Sequence, residues 1–248
     1  MDYNLKEIDA LILCGGFGRR LAPVLGDKPK VLAEIDGRVF LDILIDNLLR
    51  FGFRRIILSV GYKKEKIMDR FRDKIKKIEY DLIFSEEEIP LGTGGALKKA
   101  ESLIKSNTFL AMNGDSFCDV DFNKLLDSHI DRKALLTMVL VRSKTAQDYG
   151  SIKLDSSCRI VDYKEKIASG GERIVNAGIY LMQKDVFSKM PDDGAIFSLE
   201  YDFFPKIKEI DCFGYMADSE LLDIGTRERY EKAKLFFRNR LISEDTNG

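Results

Sequence analysis

A glycine-rich stretch with two arginines is the first part of this sequence that could do chemistry. Residues 15–20 read GGFGRR and directly follow an apolar run of strand length at residues 9–14. Glycines after a strand let backbone N–H groups approach an anion, and guanidinium groups pair with phosphate oxygens in a bidentate way. The stretch therefore indicates a phosphate-binding turn. It lacks the P-loop and G-x-G-x-x-G spacings, and a tight turn without a ligand is the alternative.

A lysine ten residues further on could supply another positive charge. Pro29 fixes its own φ and restricts the residue before it, so the chain that carries Lys30 is stiff. A lysine on a stiff chain is a positioned point charge, which suits a phosphate. The alternative is an ordinary solvated surface lysine.

The composition excludes several other kinds of chemistry. Forty Lys and Arg against forty-one Asp and Glu give a formal net charge of −1, which leaves no excess positive field for nucleic acid or an anionic membrane. The four cysteines, at positions 14, 118, 158 and 212, stand too far apart for a zinc site or a disulfide framework. His129 is the only histidine, and we expect it at the surface. No apolar run approaches the ~20 residues of a membrane span, so we expect a cytoplasmic protein.

The elements that must position these residues alternate in the first half of the chain. Apolar runs of strand length alternate with longer amphipathic stretches, the pattern of parallel strands joined by helices. The predicted strands are residues 9–14, 55–60, 80–84 and 108–112, and the predicted helices are residues 40–50, 63–72 and 94–105. The fold class is therefore α/β, with a mostly parallel sheet flanked by helices.

The second half differs because strand-like runs at residues 134–141 and 174–182 are separated by turns more often than by helices. This predicts a mixed sheet with a small antiparallel lobe. A short helix near residues 198–204 and a closing helix at 227–241 follow. We expect one domain over residues 1–248, with a nucleotide-binding half at about 9–131, a sugar-binding half at about 132–226, and a C-terminal helix and tail.

The motifs together resemble the sugar-1-phosphate nucleotidyltransferases. GGFGRRL and PKVL are similar to that family's G-G-x-G-T-R-L and P-K-x-L signature. Six more stretches follow in family order: residues 90–96, Asn113-Gly114-Asp115, Tyr149-Gly150, Glu165-Lys166, Asn176-Ala177-Gly178 and residues 222–226. The family's reactive arginine aligns with Arg20, whereas Arg19 replaces a threonine. The resemblance implies a Rossmann-like, GT-A-like nucleotide-diphospho-sugar transferase fold.

The resemblance also implies a reaction. Such enzymes join a nucleoside triphosphate to a sugar 1-phosphate by in-line attack on the α-phosphorus and release pyrophosphate. The two substrates carry about six negative charges, so several cations must converge. The matching motifs imply Arg20 at the pyrophosphate end, Lys30 around the transferred phosphorus and Lys166 at the sugar phosphate. No covalent intermediate is needed, so a catalytic histidine is not required.

The remaining charge indicates Mg²⁺ as the cofactor. Magnesium prefers hard oxygen ligands and usually takes one or two protein carboxylates beside substrate phosphates. Asp115 and Asp223 match this role, and Asp115 follows a predicted strand at the edge where open α/β sheets bind ligands. Without the resemblance, both aspartates would be turn or cap residues.

The resemblance assigns further contacts to the two substrates. The implied nucleotide contacts are Leu13, Gly15, Gly16, Gly18, Glu87, Gly92, Thr93 and Asn113. The implied contacts to the sugar hydroxyls are Gly150, Glu165, Asn176 and Gly178. Gly92 permits close approach of the base, Glu87 reads it, and a helix N-cap is an alternative role for Thr93. A carboxylate such as Glu165 discriminates because an analogue without the hydroxyls leaves it unpaired.

Within the family, residues 39–42, 59–63, 90–96 and 196–200 most resemble the D-glycero-D-manno-heptose 1-phosphate guanylyltransferases, which make GDP-heptose for capsule or surface polysaccharide. GTP and heptose 1-phosphate are therefore the expected partners. Another pair of substrates stays open: mannose, glucose or another hexose 1-phosphate with GTP, UTP, dTTP or CTP. A non-catalytic regulatory subunit also stays open, although the chain retains the arginine, lysine and aspartates that such proteins usually lose.

A monomer or a homodimer is expected, and Phe203-Phe204 and Phe236-Phe237 are either core or a dimer face.

Overall fold

The computed structural model describes residues 4–72, 79–143, 151–164 and 173–245. The strands, in chain order, are β1 (Asp9–Leu13), β2 (Glu34–Ile35), β3 (Arg38–Val39), β4 (Arg55–Val60), β5 (Asp81–Glu86), β6 (Thr108–Asn113), β7 (Ser116–Cys118), β8 (Leu136–Ser143), β9 (Ser151–Leu154), β10 (Ile160–Lys164), β11 (Arg173–Gln183), β12 (Cys212–Met216) and β13 (Leu221–Asp223). The helices are α1 (Ala22–Leu25), α2 (Phe40–Phe51), α3 (Lys64–Arg72), α4 (Gly92–Lys99), α5 (Phe122–Asp131) and α6 (Arg227–Asp245).

The central sheet is mixed. Strand β1 lies at its middle and pairs in parallel with β4 and β6, and β4 pairs in parallel with β5. Strand β11 is antiparallel to both β6 and β8, and β12 is parallel to β8. The antiparallel pair β9–β10 joins the start of β11 through Val175 and Ser151. The predicted mixed, mostly parallel sheet with an antiparallel addition is confirmed.

Two apolar layers enclose this sheet. Along β1, Ala10 and Ile12 belong to one buried layer and Leu11 to the other, because successive side chains of a strand point to opposite faces. Helix α2 buries its apolar stripe in the first layer and ends at Gly52, whose φ of 107° is the left-handed conformation that glycine adopts without strain.

The apolar pairs near the C-terminus pack inward rather than forming an exposed face. Phe203, Phe204 and Phe237 are buried, and Phe236 packs against the same core as Phe237. The helix predicted near residues 198–204 is a π-helical turn at Leu199–Phe203 followed by a 3₁₀ turn.

His129 corrects an expectation. It is fully buried in α5 rather than exposed, with its Nδ1 2.8 Å from the Thr137 hydroxyl and its Nε2 3.0 Å from the Gln183 amide nitrogen. Burial lowers the pKa of His129 to about 4. It is a hydrogen-bonded neutral core residue.

The cysteines and the helix lengths relate to two expectations from the composition, on disulfides and on membrane spans. The four cysteines, all within the described residues, are free thiols, three of them buried. In the described part of the chain, no helix combines the length and apolarity needed to cross a bilayer.

Candidate active site

A small two-stranded sheet brings the two predicted metal ligands together. Strand β7 pairs antiparallel with β13, and Ser116 is directly opposite Asp223. The backbone N–H of Ile224 donates to the carbonyl of Asp115 at 3.0 Å. Asp115 and Asp223 therefore lie side by side, although more than a hundred residues separate them in the sequence.

The two predicted cations meet these aspartates. The Lys30 Nζ donates to the Asp115 Oδ2 at 2.6 Å. A methyl group placed on Gly225 would lie 2.7 Å from the Asp223 Oδ1, 3.6 Å from the Lys30 Nζ and 3.9 Å from an Arg20 guanidinium nitrogen. Arg20, Lys30, Asp115 and Asp223 thus surround one point.

A cavity of about 180 Å³ opens at this point. Its lining combines the four charged residues with side chains from β6, β10, β11 and α6. Its lining residues include Arg20, Lys30, Asn113, Asp115, Tyr163, Asn176, Gly178, Glu200, Asp223 and Arg229. The sequence motifs had predicted seven of these ten as site residues, all except Tyr163, Glu200 and Arg229.

The glycine turn, residues 15–20, packs directly against the side chain of Lys30. Gly18 has a φ of 58°, and a Cβ at this position would lie only 3.0 Å from the Lys30 Cβ. The turn therefore packs against the aliphatic stem of Lys30, which leaves that side chain 13% exposed. At Gly16, by contrast, a Cβ would meet no atom within 4 Å, so the fold itself leaves open space there for an approaching group.

Arg19 takes a different direction from Arg20. Its guanidinium carbon lies 5.2 Å above the ring of Phe17, and that ring lies 5.1 Å from the ring of Tyr62. The position at which family members carry a threonine is therefore occupied by a cation that stacks on Phe17, an exposed ring at the edge of the turn.

Asn113, Asn176 and Gly178 form one wall of the cavity. The Gly178 N–H donates to the Asn176 Oδ1 at 2.8 Å, and the Asn176 amide donates to the Tyr180 hydroxyl at 2.7 Å. Gly178 has a φ of 73°, and a Cβ there would lie 2.7 Å from the Asn113 Nδ2. Only glycine fits this position, because both the backbone conformation and the close amide forbid a side chain.

Glu87 lies beneath the glycine turn, with little exposure. Its carboxylate accepts the Leu91 N–H at 3.0 Å and the Ser59 hydroxyl at 3.5 Å, and a Cβ on Gly15 would lie 2.6 Å from its Oε1. Burial raises the pKa of Glu87 against the opposing effect of these hydrogen bonds. The carboxylate thus connects the first turn to the loop before α4.

Packing within the chain explains why the start of α4 is rich in glycine. A Cβ on Gly92 would lie 2.5 Å from the Phe197 carbonyl oxygen, one on Gly94 2.2 Å from the Phe197 ring, and one on Gly95 2.4 Å from the Ala195 carbonyl oxygen. The close approach that these glycines permit is thus made by residues 195–197 of the same chain.

Thr93 is not an N-cap, because α4 begins at Gly92 and its cap residue is Leu91. The Thr93 hydroxyl instead donates to the Glu200 carboxylate at 2.6 Å and accepts the Leu199 N–H at 2.9 Å. Its side chain therefore ties α4 to the turn that carries Glu200.

The structure adds three residues that the sequence did not single out for the site: Tyr163, Glu200 and Arg229. Glu200 belongs to a stretch used only for its resemblance, and Arg229 follows the last motif by three residues. Leu13 ends β1 opposite Asn113, and its carbonyl accepts the Gly114 N–H at 2.9 Å. Gly150, Glu165 and Lys166 lie outside the described residues.

The possible metal ligands at the cavity suit magnesium, which shares its ligands with the substrate, rather than a metal held by protein ligands alone. Within the described ranges, no group of three or more His, Cys, Asp or Glu residues could hold a metal ion. Two aspartates beside a cavity for phosphates are the usual protein share of a Mg²⁺ site. Each carboxylate is already oriented, Asp115 by Lys30 and Asp223 by the Gly225 N–H at 2.8 Å. Asp115 and Asp223 therefore fit a magnesium ion.

This fold and this cluster of charges define a nucleotidyltransferase, and the chain belongs to the nucleotidyl transferase family, whose model matches residues 9–240. The protein is 35% identical to D-glycero-alpha-D-manno-heptose 1-phosphate guanylyltransferase of Aneurinibacillus thermoaerophilus over 92% of this chain and 97% of the relative. Mannose-1-phosphate guanylyltransferase of Mycobacterium tuberculosis is 31% identical over 90% of this chain and 63% of that relative.

A solved relative shares the fold. HddC from Yersinia pseudotuberculosis, crystallised in complex with GMP-PN, superposes with a TM-score of 0.81 at 36% identity, over 93% of this chain and 99% of HddC. The resemblance drawn from the sequence motifs is confirmed at the level of the family and the fold.

Proposed function

We propose that this protein transfers a guanylyl group from GTP to D-glycero-α-D-manno-heptose 1-phosphate, giving GDP-heptose and pyrophosphate. The observation that carries the proposal is the meeting of Arg20, Lys30, Asp115 and Asp223 at one cavity. The choice of heptose and guanine rests on the 35% identical relative, which matches along nearly its whole length, and on the GMP-PN complex of HddC. The product would supply surface polysaccharide assembly.

In the proposed reaction, an oxygen of the sugar phosphate attacks the α-phosphorus of GTP in line. The bond from that phosphorus to the oxygen bridging it to the β-phosphate breaks, and pyrophosphate leaves with the electron pair. Lys30 contacts Asp115 and neutralises charge around the transferred phosphorus. Arg20 stabilises the departing pyrophosphate. An opposite charge about 4 Å away is worth about 4 kcal/mol at an effective dielectric constant of 20.

Magnesium would be held by Asp115 and Asp223. When bound, a divalent ion of this kind withdraws charge from phosphate oxygens and orients them. The two aspartates are pre-positioned for it by the β7–β13 pair and by their own hydrogen bonds. Because proteins usually supply Mg²⁺ with only one or two carboxylate ligands, substrate oxygens and water would supply the rest.

The phosphates of the two substrates would meet at the cavity, which the substrates would approach from opposite sides. The nucleotide is assigned to residues about 9–131, with contacts from Leu13, Gly15, Gly16, Gly18, Glu87, Gly92, Thr93 and Asn113. Thr93 would contribute through its backbone, since its hydroxyl bonds Glu200 and Leu199. The sugar is assigned to residues about 132–226, with Asn176 and Gly178 in the wall.

Gly150, Glu165 and Lys166 complete the sugar side on the family resemblance alone. Tyr163 and Glu200 line the same cavity, and Glu200 offers a carboxylate already organised by two hydroxyls, Thr93 at 2.6 Å and Ser198 at 2.8 Å. Both substrates are soluble phosphates, which is consistent with work in the cytoplasm.

The test is pyrophosphate release by the purified protein with Mg²⁺ and a matrix of substrates. GTP, UTP, dTTP and CTP would each be combined with heptose, mannose and glucose 1-phosphates. We expect the highest kcat/KM for GTP with the heptose phosphate, and loss of turnover with EDTA. A higher kcat/KM for mannose 1-phosphate would reassign the sugar. No turnover with any pair would indicate a non-catalytic regulatory subunit.

A further inference from the structure

Arg229 is a third cation of the cavity that no sequence motif identified. It lies on the first turn of α6, six residues after Asp223, and lines the cavity together with Arg20 and Lys30. Its guanidinium Nη1 lies 3.4 Å from the Asp223 Oδ2 and 3.5 Å from the Oδ1. It therefore touches the carboxylate that is expected to hold the metal.

The backbone of Arg229 is firmly placed. The Thr226 hydroxyl accepts the Arg229 N–H at 3.3 Å, and the Thr226 carbonyl accepts the Tyr230 N–H at 2.9 Å. The Tyr230 hydroxyl donates to the Glu34 carbonyl, and Ala233 packs in the core one turn further on. The start of α6 is thus anchored through its backbone and its neighbours, so a change of partner would involve only the side chain of Arg229.

The contact between Arg229 and Asp223 is loose. Charge-assisted hydrogen bonds are typically about 2.7–2.9 Å long, and the distances here exceed that range. Asp223 takes its orientation from its own turn, because its Oδ1 accepts the Gly225 N–H at 2.8 Å. Arg229 therefore serves Asp223 as a counter-ion more than as a support.

The charges of the cavity explain why a counter-ion is needed. Asp223 is only 11% exposed and Arg229 24% exposed, so water screens neither group fully. A carboxylate that is mostly withdrawn from water is costly to leave without a partner. Among the described residues that line the cavity, three cations face three carboxylates: Arg20, Lys30, Arg229, Asp115, Glu200 and Asp223. These six charges balance one another before the strongly anionic substrates arrive.

A divalent cation on Asp223 would change this balance. It would take over neutralisation of the carboxylate and repel the guanidinium from it. The five N–H donors of an arginine match phosphate oxygens, and the arriving substrates supply those oxygens in the same cavity.

We propose that Arg229 is an exchanging counter-ion: it neutralises Asp223 in the metal-free protein and binds a phosphate oxygen of the substrates once a divalent cation occupies Asp223. The proposal rests on the proposed function, because it takes its phosphates from that reaction. It distinguishes Arg229 from a residue that only holds Asp223 in place, since the two roles predict opposite effects on metal binding.

The experiment compares the full chain with Arg229→Gln and Arg229→Lys. Arg238→Gln is the matched control, because Arg238 lies on the same helix and forms a 3.0 Å pair with Asp36 away from the cavity. The first measurement is Mn²⁺ binding to the protein without substrates, followed by electron paramagnetic resonance. The second is KM and kcat for GTP and for the sugar 1-phosphate. Thermal melting confirms that each variant is folded.

We expect Arg229→Gln to bind Mn²⁺ at least about threefold more tightly than the unchanged protein, because the competing cation is gone. The KM for the substrate whose phosphate Arg229 contacts should rise about tenfold, the cost of one charge-assisted hydrogen bond. Whether GTP or the sugar phosphate shows this rise identifies the phosphate. The Mn²⁺ affinity and the KM of Arg229→Lys should lie between those of the unchanged protein and Arg229→Gln. Arg238→Gln should match the unchanged protein in both.

Weaker Mn²⁺ binding by Arg229→Gln would overturn the proposal in favour of a supporting role. Unchanged Mn²⁺ binding and unchanged KM values would overturn it outright. Should Arg229→Gln fail to fold, Arg229→Lys tests the phosphate contact through KM, because it retains the charge and loses the bidentate geometry; unchanged KM values for both substrates would then overturn the proposal. The Mn²⁺ measurement needs no turnover, so a failure of the proposed function, seen as an inactive unchanged protein, is distinguishable from a failure of this inference.

Discussion

The Nζ of Lys30 lies 2.6 Å from the Oδ2 of Asp115, although the two residues are 85 positions apart. The lysine is 13% exposed and the aspartate 43% exposed, so the pair sits at the edge of the cavity with the cation on the inner side. The segment that begins at Lys30 and the loop after β6 are therefore joined by opposite charges before any ligand binds. Each group stabilises the charge that the other needs for the reaction.

Replacing the acidic partner tests this arrangement. Asp115→Asn should preserve folding and lower turnover about a hundredfold, as loss of a metal ligand commonly does. The measurements are kcat for pyrophosphate release and the midpoint of thermal unfolding. Asp119→Asn is the control, because Asp119 faces Arg50 at 3.6 Å outside the cavity and should leave turnover unchanged. An Asp115→Asn variant with most of its activity would place the metal elsewhere.

Arg20 should matter for activity far more than for stability. It is exposed on the glycine turn, and an exposed arginine contributes little to folding. We expect Arg20→Ala to abolish measurable turnover, while its free energy of unfolding in urea stays within about 1 kcal/mol of the unchanged protein. Arg38→Ala, which removes an exposed 2.6 Å pair with Asp46, should leave turnover intact. A variant of Arg20 that unfolds would show that the side chain is structural.

The parts of the fold that depend on local pattern were predictable from the sequence. The stripe of α2 and the glycine that ends it occupy neighbouring residues, so the prediction of residues 40–50 differs from the observed helix by one residue. Strand β4 has the predicted bounds. The parallel pairing of the first half and the antiparallel additions of the second half followed from the spacing of such elements.

The features that the sequence did not predict depend on contacts between residues that are far apart in the chain. Strands β7 and β13 are three residues each and make a sheet only by pairing with each other, and that pairing is what joins Asp115 to Asp223. The motif match named both aspartates without indicating how they meet. His129 was misplaced because it is buried by the tertiary fold, where one of its two hydrogen-bond partners, Gln183, lies 54 residues away in the sequence. Arg229 enters the site only because α6 packs back on the core.

Gly178 offers a test of the cavity wall. Gly178→Ala should lower kcat/KM about tenfold or more, because the new Cβ would displace the Asn113 amide, which lies 2.7 Å from that position. It should also cost about 1–3 kcal/mol of stability from the left-handed backbone. Gly194→Ala is the matched control. Gly194 has a φ of 84° but no atom within 4 Å of a Cβ, so stability should fall by backbone strain alone and activity should persist. Equal loss of activity in both would attribute it to strain.

The buried His129 should make the protein less stable in mild acid. Its pKa is about 4 in the folded protein, lowered by burial, against about 6.5 in the unfolded chain, so between these values the unfolded state binds the extra proton. The free energy of unfolding should therefore fall as pH drops from 6.5 toward 4, by up to about 3 kcal/mol from this residue.

Urea unfolding at pH 7.5, 6, 5 and 4.5 measures this fall, and His129→Gln is the comparison. The glutamine cannot titrate, so its free energy of unfolding should depend less steeply on pH even though its absolute stability is lower. Carboxylates whose pKa values are lowered by hydrogen bonds, such as Asp27 and Asp155, also lose stabilisation in acid, but they do so equally in both proteins. Parallel curves for the two proteins would therefore assign the acid sensitivity to the carboxylates and show that the pKa of His129 is not lowered in the folded protein.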